Sequence, residues 1–132
     1  MTAPVPLAAQ VEEVRRECAM RERVYASWVL EGRMTAVESA TRIRRMGAAR
    51  NTLEALEAMR PPAQRPAASL AEQVQEVKRE LRMRQRVYPR MVEQGRADPA
   101  EAEQRLAAMA AAFATLEALA AVGRATQPEL EL

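Results

Sequence analysis

The side chains in this sequence most able to do chemistry are an arginine and a tyrosine that occur together twice. Tyr25 follows Arg21 by four residues, and Tyr88 follows Arg84 by the same spacing. Residues four apart lie on one face of a helix. A guanidinium beside a phenol ring is suited to grip an anion such as a phosphate by bidentate hydrogen bonds and ring stacking. One hypothesis is therefore an anion or nucleotide site, present twice.

Two other hypotheses account for the same residues. Glu17 lies four residues before Arg21, so a satisfied polar layer that fixes the register of packed helices is the structural alternative. A protein-docking face is the third, because tyrosine, methionine and arginine are enriched at the centres of interfaces. The candidate binding face consists of Arg21, Val24, Tyr25, Arg33, Arg84, Val87, Tyr88 and Arg96.

A second group of basic side chains occurs once, between positions 42 and 50. Its members are Arg42, Arg44, Arg45 and Arg50. Such a cluster is either a solvated helix face or a phosphate-contacting patch, whose binding to nucleic acid would be salt-sensitive and indifferent to sequence. No aromatic residue is interleaved there, so stacking on single-stranded bases is not favoured.

The composition excludes several kinds of active site. The sequence has no histidine, which removes imidazole bases, imidazole metal ligands and Ser-His-Asp triads. Its four glycines form no phosphate-binding loop. We therefore expect no enzymatic activity and no cofactor.

The single cysteine and the charge balance suggest a cytoplasmic protein without a dedicated polyanion-binding role. Cys18 has no partner for a disulfide, and we expect it to be a small buried apolar residue. The 20 basic residues are balanced by 18 acidic ones. No signal peptide is evident, and the most apolar segment, 106–122, is judged too short and too polar to span a membrane.

An internal repeat positions all of these residues. Leu70–Leu119 repeats Leu7–Leu56 at a constant offset of 63, with 26 identities over 50 aligned positions. A unit of that length scarcely has a core large enough to offset chain entropy, so the two units are expected to pack together. The low aromatic content of 3% and the abundance of Ala, Leu, Arg and Glu favour an all-α fold.

Each repeat has the pattern of a helical hairpin. In the first, apolar residues step by four and three, as in a coiled-coil seam: Leu7, Val11, Val14, Cys18, Tyr25 and Trp28. The seam position that this series skips is an arginine in both copies. Gly32 and Gly95 are expected to end the first helix of each hairpin, and the capping pairs Thr35/Glu38 and Asp98/Glu101 restart the chain as a second helix.

The predicted architecture is two tandem antiparallel helical hairpins forming a pseudo-symmetric four-helix bundle. Its parts are a flexible arm 1–6, hairpin repeat 7–59, a Pro-rich linker 60–69, hairpin repeat 70–122 and a tail 123–132 that starts where Gly123 closes the last helix. A kink is expected only in the second copy, where Pro89 replaces Ala26.

The motif MRxRVYPxxVxxGRxxxxEAExRxxxM, seen best from Met83 to Met109, resembles small helical-hairpin proteins of unknown function encoded in phages and prophages. Those proteins look like single copies of this hairpin. The resemblance covers nearly all of both repeats and implies an accessory protein that binds and inhibits or redirects a host protein. It carries over no functional residues.

The leading hypothesis is thus a non-enzymatic helical binding protein with a protein partner, with homodimerisation as an open option. The alternatives are sequestration of a small nucleotide or other anion by the repeated Arg/Tyr positions, and nonspecific nucleic-acid binding through the arginine cluster.

Overall fold

The computed structural model describes residues 4–126, which form four helices and no strand. The helices are α1 (Leu7–Leu30), α2 (Ala36–Glu57), α3 (Leu70–Glu93) and α4 (Pro99–Thr126). Helices α1 and α2 are hairpin 1, and helices α3 and α4 are hairpin 2. The all-α prediction is confirmed.

The two hairpins pack into one four-helix bundle, as predicted. Helix α1 packs against α2 and α4, and α3 packs against α4 and α2. Helices α2 and α4 also touch across the centre, where the equivalent residues Ala49 and Ala112 are fully buried. Small side chains let two helix backbones approach closely, which leaves the wider diagonal to α1 and α3.

Helices α1 and α3 run parallel to each other. Both run antiparallel to α4: α3 does so within hairpin 2, and α1 contacts Thr115 from Gln10 and Arg105 from Glu13, so partner numbers on α4 fall along α1. The pseudo-twofold axis therefore runs along the bundle. Both hairpin loops lie at one end, here called the loop end, and the linker 60–69 crosses the other, here called the linker end.

The apolar core occupies the linker-end half of this bundle. Its buried members are Val11, Val14, Cys18, Met46, Ala49, Leu53, Val77, Leu81, Met109, Ala112 and Leu116. Cys18 is only 6% exposed and free, as expected of a small apolar core residue. Arg50, which takes the place of Phe113, stays half-buried and pairs with Glu54 on its own helix.

The helix ends follow the sequence signals. Gly32 and Gly95 have φ of 74° and 71°, in the left-handed region that glycine adopts without strain. The side chain of Thr35 accepts from the amide of Glu38, and Asp98 accepts from the amide of Glu101. These local hydrogen bonds satisfy amides that the helix itself leaves unpaired.

Two boundaries differ from or extend beyond the sequence prediction. Gly123 does not close the last helix, because α4 continues through it to Thr126. Of the glycines in residues 4–126, only Gly32 and Gly95 have the positive φ at which glycine ends a helix. Met59 takes the left-handed conformation at φ 55° after α2, a position that usually favours glycine. The remainder of the predicted tail, 127–132, lies outside the described residues, as do residues 1–3 of the arm.

Helix α3 is continuous through Pro89. Proline removes one backbone hydrogen bond from a helix interior, and the expected local bend there stays a prediction.

Helix α4 is more apolar than the sequence analysis judged. By length and composition alone, Pro99–Ala125 is sufficient to cross a membrane, with a stretch of mean hydropathy 1.8. The judgement that this region is too short and too polar is wrong on both counts, because it considered only 106–122. In the structure, α4 contributes Met109, Ala112 and Leu116 to the core, and a core helix has the same composition as a weak membrane-span candidate.

Candidate functional site

A buried layer of charged side chains crosses the middle of the bundle between α1 and α3. It contains two arginines and four glutamates, all 5% exposed or less: Glu13, Glu17, Arg21, Glu76, Glu80 and Arg84. We call this the polar layer. The two skipped seam positions of the sequence are its arginines.

Arg21 is fully buried and bonded on all sides. Its Nε donates to Glu17 Oε2 at 2.8 Å within α1. Across the bundle, its Nη1 donates to Glu76 at 2.8 Å and its Nη2 to Glu80 at 3.0 Å. Nη1 also donates to the backbone carbonyl of Arg42, 2.9 Å away on α2. The guanidinium therefore ties three helices together.

Arg84 repeats this arrangement from the other hairpin. Its Nε donates to Glu80 at 2.9 Å, Nη1 to Glu13 at 2.8 Å and Nη2 to Glu17 at 2.9 Å. Its fourth partner is the carbonyl of Arg105, at 3.3 Å. Glu17 and Glu80 thus each bridge both arginines, which closes the network about the pseudo-twofold axis.

The charges of the polar layer are balanced at its edges. Four carboxylates outnumber the two central guanidiniums, and Arg79 pairs with Glu76 while Arg105 pairs with Glu13 at 3.2 Å. Burial alone would lower the pKa of Arg21, but the negative charges of Glu17 and Glu76 outweigh it and raise that pKa. Burial would likewise lower the pKa of Arg84, but the charges and hydrogen bonds of Glu80 and Glu13 outweigh it and raise that pKa. Both arginines therefore stay charged.

This geometry favours the structural hypothesis for Arg21 and Arg84 over the anion hypothesis. Their guanidiniums donate to three carboxylates and one carbonyl each, and they are at most 1% exposed. A phosphate would reach either of them only by displacing buried glutamates, and an unpaired buried carboxylate is costly.

A threonine–glutamine pair lies on each side of the bundle, between the polar layer and the linker end. The hydroxyl of Thr52 is 2.7 Å from Gln73 Oε1, and that of Thr115 is 2.7 Å from Gln10 Oε1. Each glutamine amide also donates to a backbone carbonyl, that of Ala68 for Gln73. These pairs join α2 to α3 and α4 to α1.

The tyrosines of the candidate face lie on the loop-end side of the polar layer. The guanidinium carbons of Arg21 and Arg84 are each 5.5 Å from the ring centre of the tyrosine four residues on. Burial raises the pKa of both phenols, and the neighbouring guanidiniums offset this only partly. Tyr25 is 4% exposed, whereas Tyr88 is only half-buried.

The other candidate-face residues are divided between the helices and the loops. Val24 and Val87 are half-buried on α1 and α3, while Arg33 and Arg96 are exposed in the loops. Arg33 lies over the ring of Trp28, 4.8 Å from its centre. The structure thus groups the exposed members at the loop end and takes Arg21 and Arg84 into the interior.

The arginine cluster of hairpin 1 is occupied by contacts within the protein. Arg42 pairs with Glu38, and Arg50 pairs with Glu54. Arg44 donates to the linker carbonyl of Ala67, and Arg45 pairs with Glu72. These contacts neutralise much of the cluster and fasten the linker and the start of α3.

A basic surface that the sequence analysis did not single out runs along the outer face of α3. Lys78, Arg82, Arg86 and Arg90 are exposed, and none of them forms an ion pair within residues 4–126. Their spacing of four residues was visible in the sequence. What identifies them is the lack of a partner, which only the structure supplies.

No protein-family model, curated protein or solved structure matches this chain.

Proposed function

We propose that this chain is a non-enzymatic binding protein that docks on a partner protein through the loop end of its bundle. The supporting observation is the exposure of two large apolar side chains there, Leu30 at 89% and Val37 at 76%. Burying one such side chain stabilises a complex by roughly 1.5–3 kcal/mol. Their counterparts in hairpin 2 are Glu93 and Ala100, so neither the fold nor the repeat requires leucine and valine at these positions.

The surroundings of these two residues suit an interface. Trp28 is half-buried on α1, and the exposed Arg33 of the following loop lies over its ring. Tryptophan and arginine are among the residue types that contribute most to binding at interface centres. The buried polar layer behind them holds both hairpins in one arrangement, which limits the entropy lost when a partner binds.

The resemblance to phage helical-hairpin proteins adds the finer part of this proposal, that the partner is a host protein which this chain inhibits or redirects in the cytoplasm. That part rests on the motif alone.

The test is affinity capture of the full chain in lysate of its native host, with Leu30→Asp/Val37→Asp as the disrupted form. Met59→Asp is the matched control, because Met59 is 93% exposed at the opposite end of the bundle. We expect a protein enriched at least tenfold by the wild type and Met59→Asp but not by the double variant. Equal enrichment by all three forms would reject the loop-end surface.

The outer face of α3 supports a second candidate, nonspecific nucleic-acid binding. Four unpaired basic side chains at intervals of four residues form one continuous stripe, from Lys78 to Arg90. Each phosphate contact contributes about 0.9 to the slope of log affinity against log salt concentration. Replacing Lys78, Arg82 and Arg86 with glutamine should reduce that slope by roughly 3 for duplex DNA.

The matched control for that experiment is glutamine at Arg42, Arg45 and Arg50, the three members of the sequence-predicted cluster that form ion pairs. Because these arginines are paired, their replacement should change the slope little. No measurable binding by the wild type at low salt would remove this candidate.

A further inference from the structure

The pseudo-symmetry of the bundle also breaks beside the two tyrosines of the loop end, and this break leaves a cavity. In hairpin 1, the ring of Trp28 stacks on Tyr25 with 5.3 Å between ring centres. Met34, in the loop, is also buried there, at 8% exposure. Together they cover Tyr25. In hairpin 2, the corresponding positions are the smaller Met91 and Ala97.

The space that these substitutions open is a cavity of about 230 Å³. It lies between α3, the second loop and the start of α4, and Tyr88, Met91, Arg96, Ala97, Glu101 and Arg105 are among its lining residues. That volume is below the 300–1,000 Å³ typical of sites for drug-sized ligands. It suits a single large side chain.

We propose that this cavity receives a tryptophan side chain of the partner protein, in the place that Trp28 occupies in hairpin 1. This inference rests on the proposed docking function. Hairpin 1 supplies the template for the occupant: an indole held between a tyrosine ring and an arginine, since Arg33 lies over Trp28. Hairpin 2 keeps the tyrosine and the arginine, as Tyr88 and Arg96, and lacks only the indole.

The polar groups around the cavity are free to take part. Arg96 forms no ion pair within residues 4–126, whereas its counterpart Arg33 pairs with Glu31. Glu101 also has no ion pair among the described residues, because Arg105 turns inwards to Glu13 instead of pairing along α4 as Arg42 does with Glu38. An indole N–H needs an acceptor when it is buried, and the Glu101 carboxylate at the wall is one.

The test uses N-acetyl-tryptophanamide as the probe and the full chain labelled for NMR. We expect saturable shifts of the Met91 methyl group and the Ala97 and Gly95 amides at about millimolar probe, with no such shifts from N-acetyl-alaninamide. Ala97→Met and Met91→Trp refill the cavity with the side chains of hairpin 1. Each substitution should weaken probe binding at least tenfold. In Met91→Trp, which lacks the Met91 methyl group, the NMR signals of Tyr88 and Gly95 report binding.

The matched control is Met83→Trp, which adds an indole to α3 outside the cavity and should leave binding unchanged. Absence of saturable shifts in the wild type, or equal binding by Ala97→Met, would overturn the proposal. The probe needs no partner protein. If the probe does not bind, but the wild type still captures a protein that Leu30→Asp/Val37→Asp does not, only the tryptophan site is rejected and the docking function stands.

Discussion

Arg21 Nη2 lies 3.0 Å from Glu80 Oε1, and this fully buried ion pair joins residues 59 positions apart on parallel helices. Its pseudo-symmetric equivalent, Arg84 with Glu17, is 2.9 Å long. A buried ion pair costs a large desolvation free energy, so it adds little net stability compared with apolar residues. What it gives is a single arrangement, because any shift of one hairpin leaves buried charges unpaired.

Removing one arginine of the polar layer should therefore be strongly destabilising. Arg84→Met leaves three carboxylates with one cation fewer, and we expect the free energy of unfolding to fall by about 3–5 kcal/mol. Arg82→Met, two residues away on the exposed face of the same helix, should change it by less than about 0.5 kcal/mol. Urea denaturation followed by circular dichroism measures both. Similar losses in the two variants would contradict the structural role of the layer.

The threonine and glutamine pairs test the pseudo-symmetry directly. Thr52→Val removes the hydroxyl that faces Gln73, which is 1% exposed, and should cost about 1–3 kcal/mol of unfolding free energy. Thr115→Val removes the equivalent bond to Gln10, which is 7% exposed and so regains some hydration. The second loss should be equal or smaller. A larger loss for Thr115→Val in chemical denaturation would show that the hairpins are not equivalent here.

Two glycines should respond to alanine with opposite signs. Gly95→Ala places a side chain on a residue with φ 71°, and a Cβ there would meet no other atom, so the cost is backbone strain alone. The free energy of unfolding should fall by about 1–2 kcal/mol. Gly123→Ala lies inside α4 with open space around it and should stabilise by about 0.5–1 kcal/mol. Thermal melts of the two variants decide this. Destabilisation by Gly123→Ala would mean that α4 ends before that residue.

The tyrosines predict how stability depends on alkaline pH. Burial raises the pKa of Tyr25 and Tyr88 above the usual value of 10.0. Because the folded pKa is the higher one, the stabilisation is complete below about pH 10 and is lost as pH rises through the folded pKa. Absorbance at 295 nm should show both phenols ionising later than in the unfolded chain. Ionisation at the free-tyrosine pKa, without loss of structure, would contradict the burial.

The sequence contained most of the fold because the signals for it are local. The step of four and three from Leu7 to Trp28, the glycine at 32 and the capping residue Thr35 each act within one or two helical turns. The wrong end at Gly123 has the same origin. Glycine permits a left-handed turn and does not impose one, so local sequence could not tell a helix end from a helix interior.

The candidate site was only partly readable for a different reason. The spacing of Arg21 and Tyr25 placed them on one face but was compatible with a polar layer, an anion site and a docking face. What separates these possibilities is the position of Glu76 and Glu80, which belong to the other repeat. Likewise, Arg42 and Arg45 looked available in sequence and have partners in the structure, whereas Lys78 and Arg82 do not.

By itself, the sequence determined two helical hairpins, their ends at Gly32 and Gly95 and their duplication, since hydrophobic periodicity and capping depend on neighbours a few residues apart. The tertiary structure alone decided that Arg21 and Arg84 are buried, and that a cavity lies beside Met91 and Ala97 whereas Tyr25 is covered in hairpin 1. Those outcomes depend on side chains brought together from distant parts of the chain. The free energy of a charge or an aromatic ring is set by what surrounds it in space.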